Sequence, residues 1–312
     1  MSQNEEQTER LLQSPYEVRD PRITLEGDMV LGPETRRMFD EAIGAMRYHK
    51  IIYSDWGLGA VDPTGRNMVL NFYGPPGTGK TLAAEALAGT LQCPFIHIGI
   101  SEVESKFVGE TAKNISVAFK SAAVAGALLF FDEADTLLGA RLSSVTQGID
   151  NEINAMRSTL LIELERFEGI VVFATNFANN YDNAFVSRIR YHITFELPDL
   201  DGRKRLWQRL MVPGIPLAED RDALIERAAE ASKGLSGREL RTVMRTALPR
   251  ALVANPEQPQ VTWSDFEGAI ADVRNANRNV GKQAHLARSS DAEINSSIKL
   301  LGLSNATSNK QG

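Results

Sequence analysis

The run Gly74-Pro75-Pro76-Gly77-Thr78-Gly79-Lys80-Thr81 constrains this chain more than any other segment. It follows the apolar stretch Met68 to Tyr73 and opens into TLAAEALAGTL, a helix-forming sequence that starts at Thr81 and Leu82. A strand that enters a glycine-rich loop and leaves as a helix begins a βαβ crossover, so a parallel sheet with helices packed on it follows. The spacing G-x-x-x-x-G-K-[ST] adds chemistry. Gly74, Gly77 and Gly79 let successive backbone N–H groups turn inward onto phosphate oxygens, and the helix N-terminus contributes its positive end. Lys80 is then expected to reach the outer phosphates and Thr81 to ligate Mg²⁺, with Pro75, Pro76, Thr78 and Leu82 completing the loop and the start of its helix.

Four more apolar runs recur along the chain, at Pro94 to Ile100, Ala127 to Phe131, Gly169 to Ala174 and Tyr191 to Leu197. Helical periodicity lies between them at about 80–91, 110–125, 151–167 and 182–188. The alternation predicts an α/β fold, a P-loop αβα sandwich with a parallel five-stranded sheet, over residues 29–199. After Pro198 the strand signal stops, and four helical patterns predict a second, all-helical domain over residues 200–276. Residues 1–28 are polar and read as an N-terminal arm without its own core; residues 277–312, rich in Ser, Asn and Gln, read as a polar tail.

Composition excludes several classes. With 43% hydrophobic and 24% charged residues the 312-residue chain is neither disordered nor fibrous. No stretch approaches the roughly 18 apolar residues of a membrane span, and the first thirty or so residues are too polar for a signal peptide, so a cytoplasmic protein is expected. Cys93 is the only cysteine and the histidines are four, which rules out a disulfide framework or a Cys/His zinc site. A net charge of -6 argues against wrapping nucleic acid by bulk charge.

Two more strand ends carry chemistry. The run Ala127 to Phe131 ends in Asp132-Glu133, at the carboxyl edge of the sheet where ligands of open α/β folds collect. Asp132 suits the Mg²⁺-linked acidic position and Glu133 the group that orients and polarises an attacking water. The run Ile170 to Phe173 leads into Ala174-Thr175-Asn176, whose amide is a candidate contact for the γ-phosphate and that water.

At this point the sequence resembles the AAA family of ATPases, from about Gly32 to Val273: GPPGTGKT is similar to its Walker A motif, LLFFDEAD to its Walker B and FATN to its sensor 1 strand. The resemblance implies ATP and Mg²⁺ as ligands and a helical lid over the nucleotide. It also implies a ring, usually a homohexamer, in which each site is completed by the next subunit. AFVSRIRYHITFELPD resembles the family's second region of homology, which makes Arg188 the arginine finger, with Arg190 as the weaker alternative. GLSGRELRTVMRTA resembles the start of the sensor 2 helix and points to Gly237 and Arg238, with Arg241 next to them. SKFVGE resembles pore loop 1, in which Lys106, Phe107 and Val108 would grip a polypeptide in the central channel; residues 139–150 occupy the slot of pore loop 2.

The resemblance therefore implies an ATP-driven remodeller of a protein substrate. Within the family, SKFVGETAKN and NYDNAFVSRI are similar to the HORMA-domain remodelling ATPases, which include bacterial members of CBASS anti-phage operons. The alternative from another class is a nucleic-acid motor or loader, against which stand the net charge and the aromatic pore loop. A third, a nucleotide-switched scaffold with little turnover, is opposed by the presence together of Lys80, Asp132, Glu133, Asn176 and Arg188. No His-Glu-x-x-His occurs, so this chain carries no zincin-type protease centre.

Overall fold

Alternation inside the apolar runs sets the layers. In the run Leu128 to Phe131, Leu128 and Phe130 pack in one buried cluster while Leu129 and Phe131 pack in another, as a strand covered on both faces requires. The computed structural model describes residues 15–62, 67–100, 110–139, 149–176 and 181–279. Its strands are β1 (Val18–Arg19), β2 (Met68–Tyr73), β3 (Phe95–Gly99), β4 (Leu128–Asp132), β5 (Ile170–Thr175) and β6 (Tyr191–Thr194). They form one sheet in the order β1-β3-β4-β5-β2-β6. Neighbouring strands run parallel from β3 to β6.

The five expected strands are all present, but the sheet has six. The sixth, β1, pairs antiparallel with β3, Val18 opposite Ile96 and Arg19 opposite Phe95. It arises in the segment expected as a coreless arm, and two residues are too few to show an alternating pattern. Side chains fasten it instead: the Arg19 guanidinium lies 5.1 Å from the Phe95 ring centroid, and the Tyr16 hydroxyl donates to Asn114 O at 3.1 Å. A short helix, α1 (Leu25–Asp28), follows, capped by Thr24, with Leu25 buried. Residues 15–28 of the expected arm thus hold a strand and a capped helix, while residues 1–14 lie outside the described residues.

Helices α2 (Pro33–Arg47) and α3 (Lys80–Leu91) cover one face of the sheet, burying Phe39 and Leu87 against Leu70, Phe72, Phe95 and Phe130. Proline at the first turn of α2 sits where its missing N–H costs nothing. On the other face lie α4 (Glu110–Ala125) and α6 (Ile149–Arg166), separated in sequence by the short α5 (Asp135–Leu138). There Phe119 meets Phe167 edge-on at 5.3 Å and Phe131 at 5.9 Å. Phe119→Ala is expected to cost about 3–5 kcal/mol, the transfer term plus a cavity. Denaturant unfolding checks this; a loss below about 1 kcal/mol would mean that the pocket collapses onto the gap.

The described residues up to Leu206, together with Gly234–Arg238, form one compact unit, and Trp207–Lys233 with the residues from Glu239 onward form another. In the first lies α7 (Asn183–Val186); α8 (Leu200–Leu210) and α10 (Gly237–Ala254) contribute to both, and α9 (Arg221–Ala231) belongs to the second. The second unit has a core of its own around Trp207, whose ring meets Phe266 edge-on at 5.9 Å. The indole N–H donates to Ser232 Oγ at 3.0 Å, so the buried polar atom is satisfied. Among the described residues no helix is long and apolar enough to cross a membrane.

Candidate functional site

Beyond Tyr73 the chain turns through Gly74, Gly77 and Gly79, all with positive φ, before α3 begins at Lys80. Glycine is demanded twice over at two of these positions. A Cβ on Gly74 would stand 2.0 Å from the carbonyl oxygen of Phe195, and one on Gly77 would stand 2.8 Å from Ser236 Oγ and 2.9 Å from Arg238 Cβ. Gly237 differs, since a Cβ there would have Gly77 O as its nearest neighbour at an ordinary 3.7 Å. Arg238 N–H donates to Gly77 O at 3.1 Å, and the Thr78 hydroxyl donates to Pro75 O at 2.8 Å.

Lys80 is buried, and its three ammonium protons find three acceptors: Gly74 O at 2.7 Å, Pro75 O at 3.0 Å and Asn176 Oδ1 at 3.0 Å. Burial lowers its pKa, while the nearby Asp132 and Asp135 carboxylates pull it back up. The next residue, Thr81, donates its hydroxyl to Asp132 Oδ2 at 2.8 Å. Leu82, on the first turn of α3, is exposed. The strand ends of β2, β4 and β5 thus bring Lys80, Thr81, Asp132 and Asn176 to one edge of the sheet.

Asp132 is held from several sides. Its Oδ1 accepts the Glu133 backbone N–H at 2.9 Å, and His97 Nε2 lies 3.5 Å from its Oδ2. Burial alone would raise the carboxyl pKa; the neighbouring His97 imidazole and the hydrogen bonds from Thr81 and the Glu133 amide outweigh it and keep the group below the ordinary carboxylate range. Thr81 Oγ1 and Asp132 Oδ2 are hard oxygen donors side by side. That set suits Mg²⁺, which takes one or two protein oxygens and fills its remaining positions with phosphate and water.

Glu133 adopts φ 56°, the left-handed region, which costs a non-glycine residue on the order of 1–3 kcal/mol. The turn is secured by Ala134 N–H donating to Ala174 O at 2.9 Å. Asn176 is secured similarly, its backbone N–H lying 3.2 and 3.3 Å from the two Asp135 oxygens. Sequence reading missed His97 and Asp135. The β3–β4 register, with Gly99 opposite Asp132, puts His97 one pleat away on the same face, so the strand pairing was the signal that would have found it.

Arg188 is not among these groups. Its Nη1 donates to Ala184 O at 2.7 Å and its Nη2 pairs with Glu165. Arg190 points elsewhere, to the Tyr53 hydroxyl at 3.0 Å. Arg241 is exposed. Lys106, Phe107 and Val108 lie outside the described residues, as does most of the segment expected as a second pore loop. Among the described residues no group of three or more His, Cys, Asp or Glu side chains is arranged to hold a metal ion.

Comparison with known proteins puts this edge in a context. The family described as ATPase family associated with various cellular activities (AAA) matches residues 70–197. The chain is 35% identical over 234 residues to the 26S proteasome regulatory subunit 7 homolog of Schizosaccharomyces pombe, covering 73% of this chain and 51% of that protein. It is 36% identical over 208 residues to the proteasome-activating nucleotidase of Methanothermobacter thermautotrophicus, covering 64% and 49%. The chain thus spans about half the length of these curated relatives. Among solved structures, the FIGL-1 AAA domain in complex with ADP superposes with a TM-score of 0.66 at 23% identity, over 88% of this chain and 91% of that one. At that identity the likeness is one of fold.

Proposed function

Because residues 70–197 form a domain of the AAA family of ATPases, we propose that the chain hydrolyses ATP with Mg²⁺ and uses the cycle to remodel or unfold a protein partner. One observation carries the reading: Lys80 Nζ and Asn176 Oδ1 meet at 3.0 Å, on the same sheet edge at which Thr81 bonds Asp132. In this reading the amides of the Gly74–Gly79 loop and Lys80 bind the phosphates, with Pro75, Pro76, Thr78 and Leu82 shaping the approach. Thr81 and Asp132 would hold a Mg²⁺ ion, which when bound would supply charge to neutralise the phosphate oxygens. Glu133 orients a water and accepts its proton, and Asn176 fixes the water's direction against the end of the chain of phosphates.

Arg188 acts at the site of a neighbouring subunit. That it bonds Glu165 and Ala184 and not the Lys80 group of its own chain supports this, and it requires a ring, a homohexamer by family likeness. Gly237 and Arg238, on the segment that meets Gly77, report nucleotide from the same subunit. Lys106, Phe107 and Val108 grip the polypeptide. The relatives' names, a proteasome subunit homolog and a proteasome-activating nucleotidase, support a protein substrate. The finer proposal is a HORMA-domain partner taken out of its complex in cytoplasmic anti-phage signalling; it rests on the resemblance of SKFVGETAKN and NYDNAFVSRI.

The test begins with Lys80→Ala. Removing a charged donor is expected to weaken ATP binding by about 1.5–3 kcal/mol, roughly ten- to a hundredfold, and to abolish ATP-driven unfolding of a partner. Titration calorimetry reads the first and a fluorescence unfolding assay the second. Unchanged ATP affinity would overturn the reading.

A further inference from the structure

A buried polar group with no part in the chemistry above lies beneath the Asn176 strand end. Thr175 and Asn71, on the adjacent strands β5 and β2, are both fully buried. Between them comes the hydroxyl of Tyr181, 2.6 Å from Thr175 Oγ1 and 3.1 Å from Asn71 Nδ2. The Asn71 amide can only donate through that nitrogen, so the phenol oxygen accepts from Asn71, and in the bond to Thr175 either hydroxyl can be the donor. An asparagine in the middle of a central strand is an expensive choice. Its Oδ1 is buried without a partner, a penalty that an aliphatic residue would avoid.

The backbone around Tyr181 reaches two other parts of the site. Tyr181 forms an antiparallel bridge with Gly139, and Asp182 N–H donates to Leu138 O at 2.9 Å, which anchors the segment to the end of α5, six residues after Asp132. Asp182 also caps α7, accepting Ala184 N–H at 2.9 Å. The carbonyl of Ala184 in turn holds Arg188 Nη1. Around Tyr181, therefore, the strand end that leads into Asn176, the segment after Glu133 and the α7 turn that leads into Arg188 are fixed to one another.

We infer that Tyr181 is a positioning residue whose hydroxyl, bonded to Thr175 and Asn71, couples the Asn176 end of one site to the Arg188 presented to the next. The inference rests on the ATP-hydrolysis reading and deepens it. The phenol sets where two groups stand, one acting within the subunit and one acting outward, without touching nucleotide itself. The ring is also stacked on His192 of β6, at 6.4 Å and 18° between planes, so removal of the oxygen alone leaves the packing in place.

Tyr181→Phe makes that removal. With full-length protein and Mg²⁺-ATP, kcat is expected to fall about ten- to a hundredfold, as misplacement of catalytic groups does, while the KM for ATP stays within about twofold. Thr175→Val cuts the Thr175 bond from the other side, and the double variant is expected to be no worse than Tyr181→Phe, which already removes that bond together with the one from Asn71. Amide exchange over residues 182–188, read by mass spectrometry, is expected to quicken in Tyr181→Phe and gives a measure independent of turnover. Wild-type kcat with unchanged exchange in Tyr181→Phe would overturn the inference, as would a double variant whose losses multiply. A wild-type chain without turnover would defeat the hydrolysis reading, and the exchange measurement would still decide whether Tyr181 links the two segments.

Discussion

Arg188→Ala is expected to bind ATP as the wild-type chain does and to turn it over about 10³- to 10⁵-fold more slowly, the range associated with an arginine that meets developing charge on a transferred phosphoryl group. The variant should fold. Arg188 bonds Glu165, a half-exposed carboxylate whose loss of a partner costs little in water. The decisive arm mixes Arg188→Ala subunits with Lys80→Ala subunits. Each is inactive alone, but the second carries an intact arginine and the first an intact phosphate loop, so mixed rings are expected to regain phosphate release. Absence of rescue, with both proteins folded and mixed rings shown by native mass spectrometry, would return Arg188 to a structural role within its own chain.

Glu133→Gln is the second large effect. The amide keeps the size and hydrogen-bonding reach of the side chain but cannot take a proton, so turnover should drop by about 10²- to 10⁴-fold with ATP still bound. The backbone argues for this substitution over alanine. At φ 56° the residue is already strained, and an isosteric replacement leaves the turn, and the Glu133 N–H bond to Asp132, undisturbed. Stalled with ATP, the protein should retain its partner through affinity purification. Recovery of a defined protein, above all one with a HORMA fold, would support the remodelling reading. Recovery of nucleic acid alone, lost as salt is raised, would replace it with a motor or loader. Phosphate release at the wild-type rate would remove Glu133 from the chemistry.

The parts of this site that could be read in the sequence are those whose chemistry is local. Gly74 to Thr81 carries its meaning in spacing, and Asp132 and Glu133 announce themselves by following an apolar run. What stayed hidden depends on which strands lie side by side. The order β1-β3-β4-β5-β2-β6 puts His97 beside Asp132 and Asn71 beneath Thr175, and no periodicity within a single segment encodes that order. The hydrogen bond from Asn176 to Asp135 spans 41 positions. The left-handed conformation of Glu133 was invisible for another reason: glutamate has no preference for that region, so it is imposed by the surrounding bonds. Arg188 was singled out by resemblance, but its pairing with Glu165 joins α6 to the turn after α7, an approach no motif describes.

The two-residue strand β1 has a consequence for anyone trimming the chain. Strand β3 lies next to the margin of the sheet, with β1 its cover on that side. Its residues Phe95 and Ile96, fully buried in the intact protein, are those paired by β1. A chain shortened to begin at Met29, where the arm was expected to end, would leave that row of amides and carbonyls bare beside apolar side chains, and such a margin is a template on which a second copy can add its own strand. Val18 and Arg19 thus act as a guard against self-assembly of the wrong kind, sheet to sheet, in a protein whose proposed work depends on assembling in another way.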